Sequence, residues 1–235
     1  MELLGMKIIT IGDIHGLDNW KSIDPKKYDK IIFLGDYVDS FIVIDRKIVR
    51  NFSEVIAFKH KWFDKVILLI GNHEMSYLGP QYRSTGYRHA IAGDIKKLLV
   101  DHYELFKIAW QYKNYLWTHA GIHQEFYNEK ILPKFTDPPE NLSDALQELY
   151  ENGYPPIFEV GYERGGDIND IGGPLWLDEK LLVENPLKGY HQVVGHSPVN
   201  TIKHHVPFPD DPETTVTLCD CIEWGDGKMY ELEVE

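Results

Sequence analysis

The sequence predicts a layered α/β fold in which parallel strands alternate with helical connections. Apolar, β-branched runs at Lys7–Ile11, Lys30–Leu34 and Val66–Ile70 are typical of buried strands. Each run is followed by glycine and then by polar residues, as expected where a strand ends in a loop. Between the second and third runs, Ile44–Trp62 carries apolar residues at helical spacing, which predicts an amphipathic helix.

Polar residues directly follow the first two predicted strands. Asp13 and His15 come after the first strand, and Asp36 and Asp39 come after the second. Alternate residues of an extended segment point to the same side, so Asp13 and His15 are suitably placed to bind one ion. An ordinary polar turn is the other interpretation of an isolated Asp-x-His, and the repeated pattern argues against it.

The third strand is followed by Gly71-Asn72-His73-Glu74, which we predict to be a loop that continues through Met75–His89. Right-handed crossovers bring the carboxyl ends of parallel strands to one edge of the sheet, where open α/β folds bind their ligands. The loop contains Arg83 and Arg88, which either approach this edge or lie on the surface.

The middle of the chain predicts two further helices and a hairpin. Apolar spacing predicts helices over Asp94–Phe106 and Leu142–Glu151. Between them, Lys107–Gln111 and Tyr115–Thr118 are predicted to pair as a hairpin whose second strand ends at His119.

The last third of the chain contains a glycine-rich segment and three short strands. Gly161–Gly173 includes Arg164, and its glycines either allow close approach to a ligand or only provide flexibility. A short apolar run precedes His196. Thr215–Cys219 and Lys228–Val234 are predicted to form a closing hairpin.

Composition limits the class of protein. We expect one domain over residues 1–235, because a chain of this length can form a single core. No apolar stretch approaches the ~20 residues that span a bilayer, and no signal-peptide pattern is present, so we expect a cytoplasmic protein with no membrane partner. Cys219 and Cys221 are expected to be reduced. The formal net charge of −13 argues against binding to nucleic acid.

The polar residues at the predicted strand ends suit a metal centre. Oxygen and imidazole ligands of this kind bind Mn²⁺, Fe or Zn²⁺, and six of them are too many for one ion that must also bind substrate. Two ions that share Asp36 fit better. The first would be bound by Asp13 and His15, and the second by Asn72, His119 and His196.

The order of these motifs resembles that of the calcineurin-like metallophosphoesterases. The resemblance rests on Asp13-x-His15, Gly35-Asp36-x-x-Asp39, Gly71-Asn72-His73-Glu74, His119-Ala120-Gly121 and Gly195-His196. The chain looks most like the phosphoprotein-phosphatase branch, which includes the diadenosine tetraphosphate hydrolases. The resemblance implies a metallophosphoesterase fold of two packed mixed β-sheets flanked by helices.

The resemblance also implies roles for individual residues. His73 would be the general acid, and Asp39 would orient it. Two divalent ions, Mn²⁺ by first expectation with Fe or Zn²⁺ as alternatives, would share a hydroxide that attacks phosphorus in line. The two carboxylate ligands leave the pair of ions with a charge of about +2, which matches a phosphate monoester dianion.

The phosphate-binding arginines of that branch are replaced here by Ser40 and Ile70. By elimination, Arg83, Arg88 and Arg164 are the candidates for binding substrate phosphate.

We therefore expect a metal-dependent phosphatase that acts on phosphomonoesters of proteins or small molecules. Cleavage of a dinucleoside polyphosphate is the alternative reaction, although Glu74 stands where those hydrolases usually have Asp. A non-catalytic binding scaffold on the same fold is the alternative of another class. Such scaffolds usually lose ligands, whereas all eight ligand and acid positions are intact here.

Overall fold

The computed structural model describes residues 5–79 and 84–235. Contacts within the chain group its residues into two compact units. The first unit contains Met1–Lys107, Asn200–Ile202 and Cys219–Glu235, and the second contains Ile108–Val199 and Lys203–Leu218.

Ten strands and six α-helices are found in the described residues. The strands are β1 (Met6–Ile11), β2 (Lys30–Phe33), β3 (Val66–Leu69), β4 (Phe106–Lys107), β5 (Ala109–Tyr112), β6 (Tyr115–Thr118), β7 (His191–Val194), β8 (Lys203–His205), β9 (Thr215–Leu218) and β10 (Tyr230–Val234). The helices are α1 (Asp45–Lys61), α2 (Asn72–Leu78), α3 (Ala92–Asp101), α4 (Gln124–Phe126), α5 (Leu142–Glu151) and α6 (Glu179–Glu184). No helix of this described part is long and apolar enough to cross a membrane.

The first unit contains a mixed sheet in the order β10-β1-β2-β3-β4. β1 to β4 are parallel, with Ile8 opposite Lys30 and Ile31 opposite Val66, while β10 runs antiparallel to β1. The predicted parallel series of three strands is therefore confirmed. Their carboxyl ends meet at one edge of the sheet, as expected.

The helix predicted between the second and third strands is confirmed as α1. Its buried face includes Ile48 and Phe52, and Phe52 stacks on Tyr37 with ring centroids 5.4 Å apart. The Tyr37 hydroxyl donates to the Leu69 carbonyl at 2.7 Å. Packing and hydrogen bonding at Tyr37 thus fix the segment that follows β2.

Two predicted boundaries in the first unit are wrong. The segment after β3 is helical from Asn72, because the Glu74 carboxylate reaches back and accepts the Gly71 N–H at 3.0 Å, which stabilises the first turn of α2. The helix predicted to reach Phe106 ends at Asp101. Phe106 and Lys107 instead form β4, which extends the sheet beside β3.

The second unit contains a mixed sheet in the order β5-β6-β7-β9-β8. The predicted hairpin is confirmed, with Tyr112 opposite Tyr115 and Lys113 in the left-handed region at a φ of 54°. Its first strand begins at Ala109 and not at Lys107, which belongs to β4. α5 has the predicted bounds, and the Asn141 side chain caps it by accepting the Asp144 N–H at 3.3 Å.

The predicted closing hairpin is wrong. β9 pairs with β7 and β8 in the second sheet, whereas β10 pairs with β1 in the first. Every residue of β9 is buried, which suits a strand with neighbours on both sides, while residues of β10 alternate in exposure, as at a sheet edge. The α/β class with two mixed sheets and helices is confirmed.

Candidate active site

The loops after β1 and β2 are joined by backbone hydrogen bonds. The N–H groups of Ile14 and His15 both donate to the Asp36 carbonyl, at 3.1 and 3.0 Å. Asp13, at the end of β1, is buried, as is Asp36. The first two predicted ligand motifs are therefore held side by side by main-chain contacts.

The loops after β2 and β3 approach more closely than most residues permit. A Cβ atom added at Gly71 would lie 2.1 Å from Asp36 Oδ1, and one added at Gly35 would lie 2.6 Å from the Gly71 nitrogen. Gly35 also has a φ of 105°. Glycine at these two positions lets the Asp36 carboxylate lie directly against the start of α2.

Left-handed backbone is concentrated at predicted site residues. Among described non-glycine residues, φ is positive at His15 (43°), Asp36 (49°), Asp39 (65°), Lys113 (54°) and His196 (66°). Four of these five were predicted as ligands or catalytic groups, and Lys113 lies in the hairpin turn. Such backbone costs about 1–3 kcal/mol per residue and clusters at functional sites, so it is an independent sign of a site here.

His15, Asp36 and His73 form a cluster of polar side chains, in which His15 and Asp36 are suited to hold a metal ion. Each offers one ligand atom, and these atoms lie within 4.8 Å of one another. The His73 N–H donates to Asp36 Oδ1 at 3.0 Å, and His73 Nε2 lies 3.8 Å from Asp36 Oδ2. Asn72 is buried at the first position of α2, next to His73.

The surroundings of His15 favour a neutral ring. Its Nδ1 lies 2.7 Å from the Val38 carbonyl, and a carbonyl can only accept, so Nδ1 carries the proton and Nε2 keeps its lone pair. Burial lowers the pKa of His15, and the positive charge of His73 lowers it further. Both effects favour the unprotonated ring that a metal ion requires.

His73 is arranged as a proton donor. Its Nδ1 donates to Asp39 Oδ2 at 3.1 Å. Burial acts to lower the pKa of His73, but the carboxylates around it, led by Asp36, outweigh burial and raise the pKa to about 9. Two histidines with ring centroids 5.0 Å apart thus have pKa values displaced in opposite directions, which favours one neutral and one protonated imidazole.

Glu74 is a site residue whose role sequence reasoning missed. Its fully buried carboxylate accepts the N–H groups of Asp36 (2.9 Å), Tyr37 (2.8 Å) and Gly71 (3.0 Å). Burial raises the pKa of Glu74 to about 8 and the Asp36 charge adds to the rise, while the positive charge of His73 and hydrogen bonds from the backbone oppose it. A glutamate three residues after a strand-ending glycine was the available signal, because it is the third residue of a helix start.

Glu74→Gln is expected to lower the free energy of unfolding by about 2–4 kcal/mol. The glutamine NH₂ group is a donor, so it cannot accept the backbone N–H groups that donate to the Glu74 carboxylate. Chemical denaturation measures the change. Glu54→Gln is the matched control, because Glu54 forms ion pairs with Lys21 and Arg50 at the protein surface. This substitution should lower the free energy of unfolding by about 1 kcal/mol or less. Equal decreases in the free energy of unfolding of the two variants would contradict the stabilising role of the Glu74 hydrogen bonds.

The second unit contributes a pair of histidines. His119 follows β6 and His196 follows β7, and these strands are parallel neighbours, with Trp117 opposite Val193. His119 Nε2 lies 3.2 Å from His196 Nδ1. Two nitrogen ligands bound to one ion at ~2.0–2.1 Å are separated by about 3–3.4 Å, so this pair fits a metal site.

The three predicted phosphate-binding arginines differ in position. Arg83 lies outside the described residues. Arg88 Nη1 lies 3.0 Å from Asp45 Oδ1, and its Nη2 donates to the Ser40 carbonyl.

Arg164 lies beside a predicted ligand of the second unit. Its Nε is 3.0 Å from Asp178 Oδ2, and its Nη2 donates to the hydroxyl of Ser197, the residue after His196. Arg88 and Arg164 each have a carboxylate partner, so a substrate phosphate would have to compete with that carboxylate.

This chain resembles known proteins in sequence and in fold. Residues 6–220 match the sequence model of the calcineurin-like phosphoesterase family. The structure resembles that of a cold-active protein-tyrosine phosphatase of a psychrophilic Shewanella species, at a TM-score of 0.58 and 16% identity over 98% of this chain and 80% of that one. This likeness indicates a shared fold. A structure of a protein serine/threonine phosphatase from Saccharomyces cerevisiae, described as similar to human phosphatase PP5, gives a TM-score of 0.49 and 13% identity over 99% of this chain and 81% of that one. No curated protein matches the sequence significantly.

Proposed function

This chain belongs to the calcineurin-like phosphoesterase family, and from that premise we propose that it is a phosphatase that hydrolyses phosphomonoesters with the aid of two divalent ions. The predicted family is thereby confirmed, and with it a phosphate ester as the class of substrate. The proposal goes further in naming a monoester and a pair of ions.

The observation that carries the proposal is the cluster of His15, Asp36 and His73, backed by Asp39, at the edge of the first sheet. It combines a neutral imidazole, a buried carboxylate and a protonated imidazole. Divalent ions, when bound, lower the pKa of water and neutralise phosphate charge. The donor types present fit Mn²⁺ first, with Fe and Zn²⁺ as the alternatives.

We assign the six predicted ligands to two ions. Asp13 and His15 would hold the first ion, Asn72, His119 and His196 would hold the second, and Asp36 would be shared by the two. The 3.2 Å spacing of the two histidine nitrogens in the second unit supports their assignment to one ion. The lone pair on His15 Nε2 supports its assignment as a ligand.

His73 is proposed to donate the proton at Nε2 to the leaving oxygen. Asp39 accepts Nδ1–H, so it fixes the ring and stabilises its positive charge. Because the leaving oxygen of an alkyl ester must gain a proton, this step matters most for substrates with poor leaving groups. Binding of substrate phosphate by Arg83, Arg88 and Arg164, and a cytoplasmic location, stay predictions.

The test is hydrolysis of p-nitrophenyl phosphate by the purified chain with Mn²⁺. We expect turnover that EDTA abolishes and added Mn²⁺ restores. Asp36→Asn should lose at least ~100-fold in kcat/KM, because Asp36 is proposed to bind both ions. Asp64→Asn, which changes an exposed aspartate, should match the unmodified chain.

The competing functions give different results in the same assay. Faster turnover of a dinucleoside tetraphosphate than of any monoester would replace the proposed reaction with anhydride cleavage. Folded, Mn²⁺-loaded protein that hydrolyses neither compound would support a binding scaffold instead.

A further inference from the structure

We infer that Tyr77 is a positioning residue, which holds the Asp39 carboxylate in the orientation that aligns His73 for proton donation. The inference rests on the proposed function, because it concerns the acid of that reaction. The Tyr77 hydroxyl donates to Asp39 Oδ1, while His73 Nδ1 donates to Asp39 Oδ2 at 3.1 Å.

The two donors come from one short helix. His73 and Tyr77 are four residues apart on α2, so they lie on the same face, one turn apart. Both reach Asp39, which belongs to the loop after β2 and has a left-handed φ of 65°. One carboxylate is thus held at both oxygens by neighbouring turns of the same helix.

Tyr77 is itself fixed on several sides. Its hydroxyl oxygen accepts the Arg88 N–H at 3.1 Å. Its ring stacks on Tyr87, with centroids 4.6 Å apart and planes 26° apart, and only 4% of the residue is exposed. The Arg88 guanidinium is anchored in turn to Asp45 at 3.0 Å. The hydroxyl therefore has little freedom to leave Asp39.

Burial strengthens the hydrogen bond from the Tyr77 hydroxyl to Asp39 Oδ1. The carboxylate is fully buried, so water does not compete for its oxygens. Ser84 also lies near the carboxylate, with Oγ 3.5 Å from Oδ2. Burial and the adjacent Asp39 raise the pKa of Tyr77, which keeps its hydroxyl protonated as a donor.

Loss of the hydroxyl should affect proton donation alone. Without it, Oδ1 lacks its donor from α2, and the carboxylate can rotate away from the line to His73 Nδ1. The ring of His73 then loses alignment, while the predicted metal ligands keep their contacts. Reactions that need little protonation of the leaving oxygen should be spared.

The first test compares Tyr77→Phe with Tyr87→Phe, which removes a hydroxyl from the other ring of the stacked pair. With the Mn²⁺-loaded chain, Tyr77→Phe should lower kcat for an alkyl phosphate by about 10- to 30-fold, part of what an acid contributes, with KM unchanged. Its kcat for p-nitrophenyl phosphate should fall less than about 3-fold, because nitrophenolate leaves without protonation. Tyr87→Phe should leave both rates unchanged.

The second test needs no activity. In metal-free protein labelled with [¹⁵N]histidine, the Nδ1–H proton of His73, assigned by its loss in His73→Asn, should shift upfield or exchange with solvent in Tyr77→Phe. It should be unaffected in Tyr87→Phe.

The two tests separate failure of this inference from failure of the proposed function. An unchanged His73 resonance in Tyr77→Phe, or equal rate losses for both esters, would overturn the positioning role. An altered resonance in a chain that hydrolyses neither ester would leave the positioning role standing and overturn the proposed function instead.

Discussion

Gly71→Ala is expected to abolish metal binding and phosphatase activity through a single added methyl group. Its Cβ would lie 2.1 Å from Asp36 Oδ1 and 2.5 Å from the Asp36 nitrogen, so the carboxylate proposed to bind both ions must move. Because the neighbouring atoms include backbone, the strain cannot be relieved by rotating one side chain. We expect the free energy of unfolding to fall by about 1–3 kcal/mol, as for overpacked sites, and kcat/KM to fall at least ~100-fold.

Gly93→Ala is the matched control for this substitution. Gly93 lies in α3, and among the described residues no atom beyond the adjacent residues and backbone of that helix lies within 4 Å of an added Cβ. Alanine there should stabilise the protein by up to about 1 kcal/mol and leave activity unchanged. Mn²⁺ titration measures metal affinity, chemical denaturation measures the free energy of unfolding, and the p-nitrophenyl phosphate assay measures kcat/KM. Full Mn²⁺ affinity in Gly71→Ala would show that Asp36 tolerates displacement and would contradict its assigned role.

His73→Asn is expected to give the second large effect, with a strong dependence on the leaving group. The Asn amide can still face Asp39, but the Nε2 proton is lost. A general acid contributes about 10²–10⁴-fold, so kcat for an alkyl phosphate should fall by that factor, and kcat for p-nitrophenyl phosphate by about 10-fold or less. Bound metal, measured by elemental analysis, should stay at the level of the unmodified chain.

His60→Asn controls for the loss of a histidine, because His60 is exposed in the last turn of α1. It should leave both rates unchanged. If His73→Asn instead slowed both esters equally, or removed metal, His73 would be a ligand and not the acid.

The first three strands of the first unit could be predicted because their signal is local. The runs that became β1, β2 and β3 are apolar, and their burial follows directly from composition. α2 was missed because its first turn, Asn72 to Met75, has no apolar periodicity and is stabilised by a contact from Glu74 back to Gly71. The pairing of β10 was missed because its partner, β1, lies at the other end of the sequence.

In the candidate site, too, local signals could be predicted from the sequence and long-range contacts could not. Residue types and spacing predicted side chains that the structure brings together, as the cluster of His15, Asp36 and His73 illustrates. They could not predict that Asp39 adopts a left-handed backbone, which allows contact with both His73 and Tyr77 across more than thirty residues of sequence. Contacts that depend on such backbone become visible only in three dimensions.

The pairing of β10 with β1 has a consequence for synthesis of the protein. Met6 lies opposite Val234, so β1 is synthesised more than two hundred residues before β10, its outer partner in the sheet. At ~5–20 residues per second, β1 remains an open edge for on the order of ten seconds or more. During that interval its unpaired backbone can pair with other nascent chains, so the chain needs protection from aggregation until β10 has been synthesised.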